Sequence, residues 1–532
     1  MSVLAVCVFV VCTVLSSGVL VSFATAAEPT PPSVTVDTAY QPPAGRRIVV
    51  RAGGQLQLAL NMAQPGDTIA LEPGAIFRGN FILPKKSSSR WIIIRSAVPD
   101  DLLPPPGTRA GPEVAPAMPK LITPNSSPVV ITAPGAHHYR FIGIEFGVSM
   151  NVSRLTSIVA LGGRQARDTD TPHHLIIDRC YVHGHARLDG FRGVLLNSAW
   201  SAIIDSYISD MHVRGFDSQA VLGYNGPGPF KIVNNYLEGA GENIMFGGAD
   251  PLIRNLVPSD IEIAHNHLAK PRSWDSAGPW YAGTSWTMKT LLELKNAQRV
   301  LIEGNLLEYV FREGGTGLLL TPRNQENRAP WSVVQDVIFR NNIVRNVSVG
   351  SKIQGSDDGF RSQRTRRIMI SNNLWVNVSR SFAYLIAPID DLTIVHNTAL
   401  PLGHSTYHVE GEPPLIRFTL AENILGYGAN GLKFSRFRAG SEWFSEAVIR
   451  GNVLVRVDGT QDDGLNAERS LSGETPPYVL FGSSAEAGLE AGGTLHQGSP
   501  LRKAGPRGAD VGVSFHELCN AVHTACGTIR RE

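Results

Sequence analysis

A short phrase recurs along this 532-residue chain and leaves few folds open to it. An aliphatic or aromatic residue is followed by two variable residues, Asn, one variable residue and a second apolar residue. It reads Ile232-x-x-Asn235-x-Leu237, Ile263-x-x-Asn266-x-Leu268, Ile302-x-x-Asn305-x-Leu307, Phe339-x-x-Asn342-x-Val344 and Ile370-x-x-Asn373-x-Trp375. It continues as Ile394-x-x-Asn397-x-Ala399, Leu420-x-x-Asn423-x-Leu425 and Ile449-x-x-Asn452-x-Leu454. Two earlier phrases keep the frame with another small residue, Ile177-x-x-Cys180-x-Val182 and Ile203-x-x-Ser206-x-Ile208. Apolar residues two apart face inward along short strands, a period of two rather than of a helix. An Asn between strands can adopt the left-handed conformation of a tight turn, and its amide can bond the Asn one coil above or below. One coil cannot bury its apolar face alone, so coils must stack. The spacing, mostly in the twenties and low thirties, suits one turn of a three-sided solenoid with about seven to ten residues per side. Neither a leucine-rich frame nor the 3.6 period of a helical solenoid is visible.

Both ends agree. Residues 54–63 read as a short amphipathic helix, followed by Gln64-Pro65-Gly66-Asp67-Thr68-Ile69 as turn and strand and by a turn at Pro73-Gly74. An open solenoid end exposes apolar surface and unpaired strand edges, so a cap is needed there. This start resembles the N-terminal cap of the pectate-lyase-like superfamily. Ser499-Pro500-Leu501 and Gly505 to Gly512 are similar to the closing segment of secreted bacterial β-helix repeat proteins. The resemblance covers residues 46–515. It implies an all-β fold: a right-handed, single-stranded parallel β-helix, a three-sided solenoid with an N-terminal capping helix.

The first 27 residues carry no charged side chain, and Val3 to Val21 is almost wholly apolar. Ala24-Thr25-Ala26 fits the small-x-small pattern of a signal-peptidase site. The expected organisation is therefore a signal peptide over 1–27, a Pro-rich linker over 28–45, the β-helix over 46–515 and a tail over 516–532. The alternative for the first segment is an uncleaved anchor, because its apolar run is near the lower limit of a span. Export implies a secreted or periplasmic protein with no membrane contact after cleavage. In an oxidising compartment Cys519 and Cys526 can pair, and Cys180 is expected to be buried. With 48 Lys and Arg against 46 Asp and Glu, the net charge of +2 provides no global basic field, which argues against nucleic acid as partner. No separate oligomerisation module is visible, so a monomer is expected.

Chemistry is expected on the loops of the two stretched intervals, Asn266 to Asn305 and Asn305 to Asn342, since solenoid insertions gather on one face. The first carries Trp274, Trp280 and Trp286, whose rings either stack on sugars or pin the loop to the wall; the second carries Trp331 beside Arg323, Glu326 and Arg328. If Leu292, Leu294, Ile244, Phe246, Leu320 and Ile353 point inward, alternation turns Asn243, Glu293, Lys295, Thr321, Lys352 and Gln354 outward, with Arg323 just beyond. That is a polar, net-basic groove suited to a uronate-containing polysaccharide.

The superfamily resemblance implies β-elimination, in which Arg or Lys acts as base and a cation, often Ca²⁺, or basic side chains neutralise the substrate carboxylate. Lys295 and Arg323 are the candidates for base and neutraliser, with Glu293 supporting Lys295 or holding a cation. Asn243, Lys352, Gln354 and the three tryptophans are the candidate substrate-binding residues. The Asp-rich calcium set of pectate lyases has no residue-by-residue counterpart here. Asp357-Asp358 resembles the paired aspartates of polygalacturonase-type hydrolases or is a solvated turn. His183, His185 and Asp189 are either a metal set or turn residues. A glycoside hydrolase and a non-catalytic glycan-binding protein are the competing functions.

Overall fold

In the computed structural model the chain forms a solenoid of parallel strands in which nearly every coil gives one strand to each of three stacked ladders. The structure describes residues 26–150, 152, 155–434, 443–456, 478–490, 492–522 and 526. The expected signal segment up to residue 25, with Cys7 and Cys12, and the last residues of the expected tail lie outside them. Ladder one starts at Arg47–Val50 and reaches Val448–Arg450. Ladder two starts at Ile76–Arg78 and ladder three at Phe81–Leu83. The long strands Ile343–Gln354 and Leu374–Ala387 pass through ladders two and three without a break. The helix Leu56–Met62 closes one end, with Leu56, Ala59 and Leu60 buried. No helix among the described residues is long and apolar enough to cross a membrane.

The repeated phrase sets the register. Ile177, Ile203, Ile232, Ile263, Ile302, Phe339, Ile370, Ile394, Leu420 and Ile449 pair coil to coil in ladder one. Between the two strands of each phrase the Asn side chains stack. Asn305 Oδ1 accepts from the Asn266 main-chain N–H at 2.9 Å and from Asn266 Nδ2 at 3.0 Å. Asn305 Nδ2 donates to Ile263 O and Asn342 Oδ1, each at 2.9 Å. This arrangement runs unbroken from Ser206 to Asn452. The left-handed residue is not the Asn, as expected from the sequence, but the one before it: Asn234, His265, Asn341, Asn372, His396 and Glu422 all have φ between 54° and 58°. That preceding residue makes the turn, which leaves the Asn amide pointing inward with its full bonding capacity satisfied.

A second column crosses ladder one on its outer face. Asp260, Arg299, Asp336, Arg367, Asp391 and Arg417 occupy one position in six successive coils, every one with φ between 51° and 59°. Each Arg grips the Asp of the coil before it through two bonds of 2.6–2.9 Å. Part of the segment expected as a Pro-rich linker lies along this column. The main-chain N–H groups of Ala27, Thr30 and Ser33 donate to Asp391, Asp336 and Asp260 at 2.9, 3.0 and 2.8 Å. Val36 is buried against Ile176, Ala202 and Ile204, and Arg140 donates to Thr38 O at 2.9 Å. The reason is pitch. Prolines hold the strap extended, so three residues advance about 9 Å and match two coils of about 4.8 Å each.

The described start of the expected tail also packs on the solenoid. The helix Phe515–Val522 buries Leu518 and Val522 against Ile343 and Leu374. Cys519 and Cys526 are joined as a disulfide, and Cys180 is a buried free thiol.

For Asp260, Asp336 and Asp391, burial works against ionisation, but the Arg partner and the strap donors outweigh it and hold each carboxyl below its usual range. Depressed carboxylates stabilise the fold above their unfolded value near about 3.9, and that contribution is lost as pH falls through the lower folded values. The Thr30 and Ser33 amides should therefore lose exchange protection between about pH 5 and about pH 2, after correction for intrinsic rates. Unchanged protection would show that the column does not hold the strap.

Candidate active-site groove

Register decides which side chains meet on the outer face of ladder three. Met245, Glu293, Leu319, Lys352 and Tyr384 share one column. The next outward position, two residues on, puts Lys295, Thr321 and Gln354 in line. Strand alternation therefore turns Glu293, Lys295, Lys352 and Gln354 outward together, with Arg323 just beyond the strand Thr316–Leu320.

Glu293 is 3% exposed; its Oε1 accepts from Thr321 Oγ1 at 3.2 Å and lies 3.6 Å from Lys295 Nζ. Its Oε2 is buried with no hydrogen-bond partner. Lys352 Nζ sits 5.1 Å above the Tyr384 ring. Arg323 bonds Asp357 at 2.8 Å and also Asp358, with Gln354 Oε1 at 3.5 Å. Burial alone would lower the Arg323 pKa, but the bonds and charges of Asp358 and Asp357 raise it, which favours the charged guanidinium.

These side chains line a cavity of 380 Å³. Lys289, Lys295, Arg312, Arg323 and Lys352 border it, against only Glu293 and Glu313 as carboxylates. A neighbouring cavity of 610 Å³ shares Arg312 and Glu313 with it and adds Arg380 and His404. A cavity of 1280 Å³ lies elsewhere, between ladder-one residues such as Arg340 and the C-terminal segment.

Beneath the groove lies a buried charge cluster that the sequence did not reveal. Lys289 reaches Asp217 at 2.8 Å and Glu242 at 3.1 Å. Glu242, wholly buried, is raised to about 7 by burial and by the nearby Glu293 charge, against the pull of Lys289. Lys270, 0% exposed, donates to Gly239 O, Ala240 O and Thr290 O at 2.5, 2.9 and 3.1 Å, while burial lowers it to about 7. Gly239-Ala240-Gly241 thus cradles an amine. In sequence Lys270 reads as an ordinary loop lysine.

Several expectations are corrected. Asn243 does not face the groove: it is wholly buried, and its amide bridges Leu237 O and Ala269 O at 2.6 and 2.8 Å. Asn243 is the second residue of the strand Glu242–Phe246, and in the next coil Leu291 and Leu292 are both buried in the core, so strict alternation does not hold at this end of the strands. Trp274 and Trp286 are 4% and 5% exposed and pack around His212, with Trp286 stacked on it at 3.7 Å. They pin the insertion and present no face to a sugar. Trp280 is 57% exposed and stacks under Arg272 at 4.1 Å. Asp357 also accepts from the Asn324 N–H, so the aspartate pair positions Arg323. His183 contacts Glu145, His185 contacts Met150 and Asp189 pairs with Arg214, so these residues do not converge on one point. Ca²⁺ takes six to eight oxygen ligands. A lining of five cations and two carboxylates does not fit that set.

No family model and no curated protein matches the sequence. Solved structures similar to it include the PL6 family alginate lyase AlyGC (TM-score 0.47, 12% identity, covering 88% of this chain and 58% of that one). Another is the catalytic unit of a thermostable GH87 alpha-1,3-glucanase from Streptomyces thermodiastaticus strain HF3-3 (TM-score 0.48, 12% identity, covering 80% and 72%). A third is a mannuronic acid specific polysaccharide family 6 lyase from human gut microbiota (TM-score 0.39, 12% identity, covering 82% and 91%). The chain thus spans 58% of the length of AlyGC.

Proposed function

We propose that this chain is a polysaccharide lyase that cleaves a uronate-containing chain by β-elimination in the ladder-three groove. The structures it resembles include lyases and a glucanase alike, so the reading rests on the groove. The observation that carries it is the excess of cations in the lining of the groove, five against two carboxylates.

In the reaction a base removes the C5 proton of a uronate, the C4–O bond breaks, C4=C5 forms and the leaving oxygen takes up a proton. The charge that develops on the carboxylate needs preorganised donors. Arg323, locked by Asp357 and Asp358, and Lys352, supported by Tyr384, are the neutralisers. Lys295, which like Lys352 pairs with no Asp but lies beside Glu293, is assigned to take the C5 proton and return it to the leaving oxygen. Glu293 orients Lys295.

Hydrolysis fits less well, because it needs two carboxyls facing across the substrate. Glu242 and Asp357 are buried in ion pairs, and Glu313 lies 87% exposed at the rim.

The test is absorbance of newly formed unsaturated uronate, with mature protein and a panel of acidic polysaccharides. A rise is expected on at least one substrate, unchanged when chelator is added. Reducing ends without absorbance would establish a hydrolase, and activity abolished by chelator would overturn the metal-free neutralisation. Silence in both readouts across the panel would leave a glycan-binding protein.

A further inference from the structure

The strap over ladder one meets the solenoid close to the start of the described residues. Among those residues, Ala27 is the first whose main-chain nitrogen donates to the solenoid, 2.9 Å from Asp391 Oδ1. In the sequence Ala27 directly follows Ala24-Thr25-Ala26, the small-x-small pattern that places a signal-peptidase cut after its third residue. The two observations are independent: one is a contact with a carboxylate 364 residues away, the other a local pattern.

We propose that the Ala26–Ala27 bond is the processing site and that cleavage there completes the docking. The mature chain starts at Ala27, and its new α-ammonium seats on Asp391 as an ion pair. The inference rests on export and is independent of the groove.

In the cleavage step water adds to the Ala26 carbonyl and the C–N bond breaks. The hydroxyl stays with Ala26 as a carboxylate, and the Ala27 nitrogen leaves as an amine that takes up a proton. A membrane-bound endopeptidase supplies the catalysis. Before the cut, Ala27 offers Asp391 a single amide N–H. After it, the same nitrogen carries three donors and a positive charge, and charge-assisted bonds are about twice as strong as neutral ones. Asp391 is prepared for a second cation: it is 5% exposed and held by Arg417 at 2.6 and 2.9 Å. A cut one residue later, at the boundary first expected from the sequence, would remove Ala27 and forfeit the contact. A cut one residue earlier would leave a neutral amide on Asp391 and the charge beyond it.

The test begins with export of the full chain from a bacterial host, followed by intact mass and N-terminal sequencing. Ala27 is the expected first residue, and any other mature N-terminus overturns the proposal. The Ala27 protein is then compared with its Nα-acetylated form and with a form that retains Ala26, each with and without Asp391→Asn. The free ammonium should slow amide exchange at Thr30 on the order of tenfold relative to both blocked forms, and Asp391→Asn should erase the difference. Equal exchange in the free and acetylated forms, or a difference that survives Asp391→Asn, would overturn the seat of the charge. Failure of the lyase assay bears on none of these outcomes.

Discussion

Lys295→Ala is expected to reduce turnover of a responsive uronate polymer by about 100- to 10,000-fold, the usual contribution of a positioned general base. Substrate binding should change little, because the carboxylate rests on Arg323 and Lys352. Stability should change little too, since the Lys295–Glu293 contact is a single 3.6 Å pair at the groove wall. Lys295→Arg, which keeps the charge but resists deprotonation, should be nearly as inactive. Lys352→Ala should behave differently and raise KM more than it lowers kcat, because its charge meets the substrate before and during reaction. Initial rates at saturating and limiting substrate, with thermal unfolding as a control, separate these cases. Equal loss of kcat in Lys352→Ala and Lys295→Ala would mean that Lys295 is another carboxylate binder, and full activity in Lys295→Ala would remove it from the mechanism.

The second large effect concerns a residue that touches no substrate. Lys270→Met should destabilise the protein by about 3–5 kcal/mol, the range seen when one member of a buried polar cluster is removed. Methionine fills most of the volume but offers no donor, so the carbonyls of Gly239, Ala240 and Thr290 would lose a buried partner together. These carbonyls flank the strands Glu242–Phe246 and Thr290–Leu294, which carry Glu242 and Glu293. Activity should therefore fall at temperatures well below the midpoint, as the wall beneath the groove loosens. Lys270→Arg should not rescue, because a guanidinium is too large for the cradle. Denaturant unfolding measures the loss directly; a change under about 1 kcal/mol would mean that water replaces the amine at those carbonyls.

The fold was legible because the Asn phrase carries geometry at a fixed spacing. Ile302, Asn305 and Leu307 each fall on the rung the sequence assigns them, and the same holds from Ile203 to Leu454. The groove was legible only where strand alternation is regular: Glu293, Lys295, Lys352 and Gln354 follow from it. Asn243 did not, because at its end of the strand successive residues are all buried and its amide is spent on Leu237 O and Ala269 O. Trp274 and Trp286 were ambiguous by nature, since a loop aromatic can face either way, and only the pocket around His212 decides. Lys270 and Lys289 were invisible because their partners lie 20 to 72 residues away, with no spacing rule to link them. The strap was read as a linker because proline content reports stiffness and not what the stiff segment lies against.

The alternating column on ladder one bears on how such a chain can change length. Asp260, Arg299, Asp336, Arg367, Asp391 and Arg417 alternate in sign from coil to coil. Loss or duplication of a single coil sets Asp against Asp or Arg against Arg about 4.8 Å apart, worth about 3 kcal/mol of repulsion at an effective dielectric near 20. Loss or duplication of two coils restores the alternation. The strap keeps the same count, since its N–H groups at residues 27, 30 and 33 meet every second rung. This half of the solenoid therefore has a parity: insertions and deletions of coil pairs join cleanly, whereas odd ones leave both a charge clash and a strap out of step.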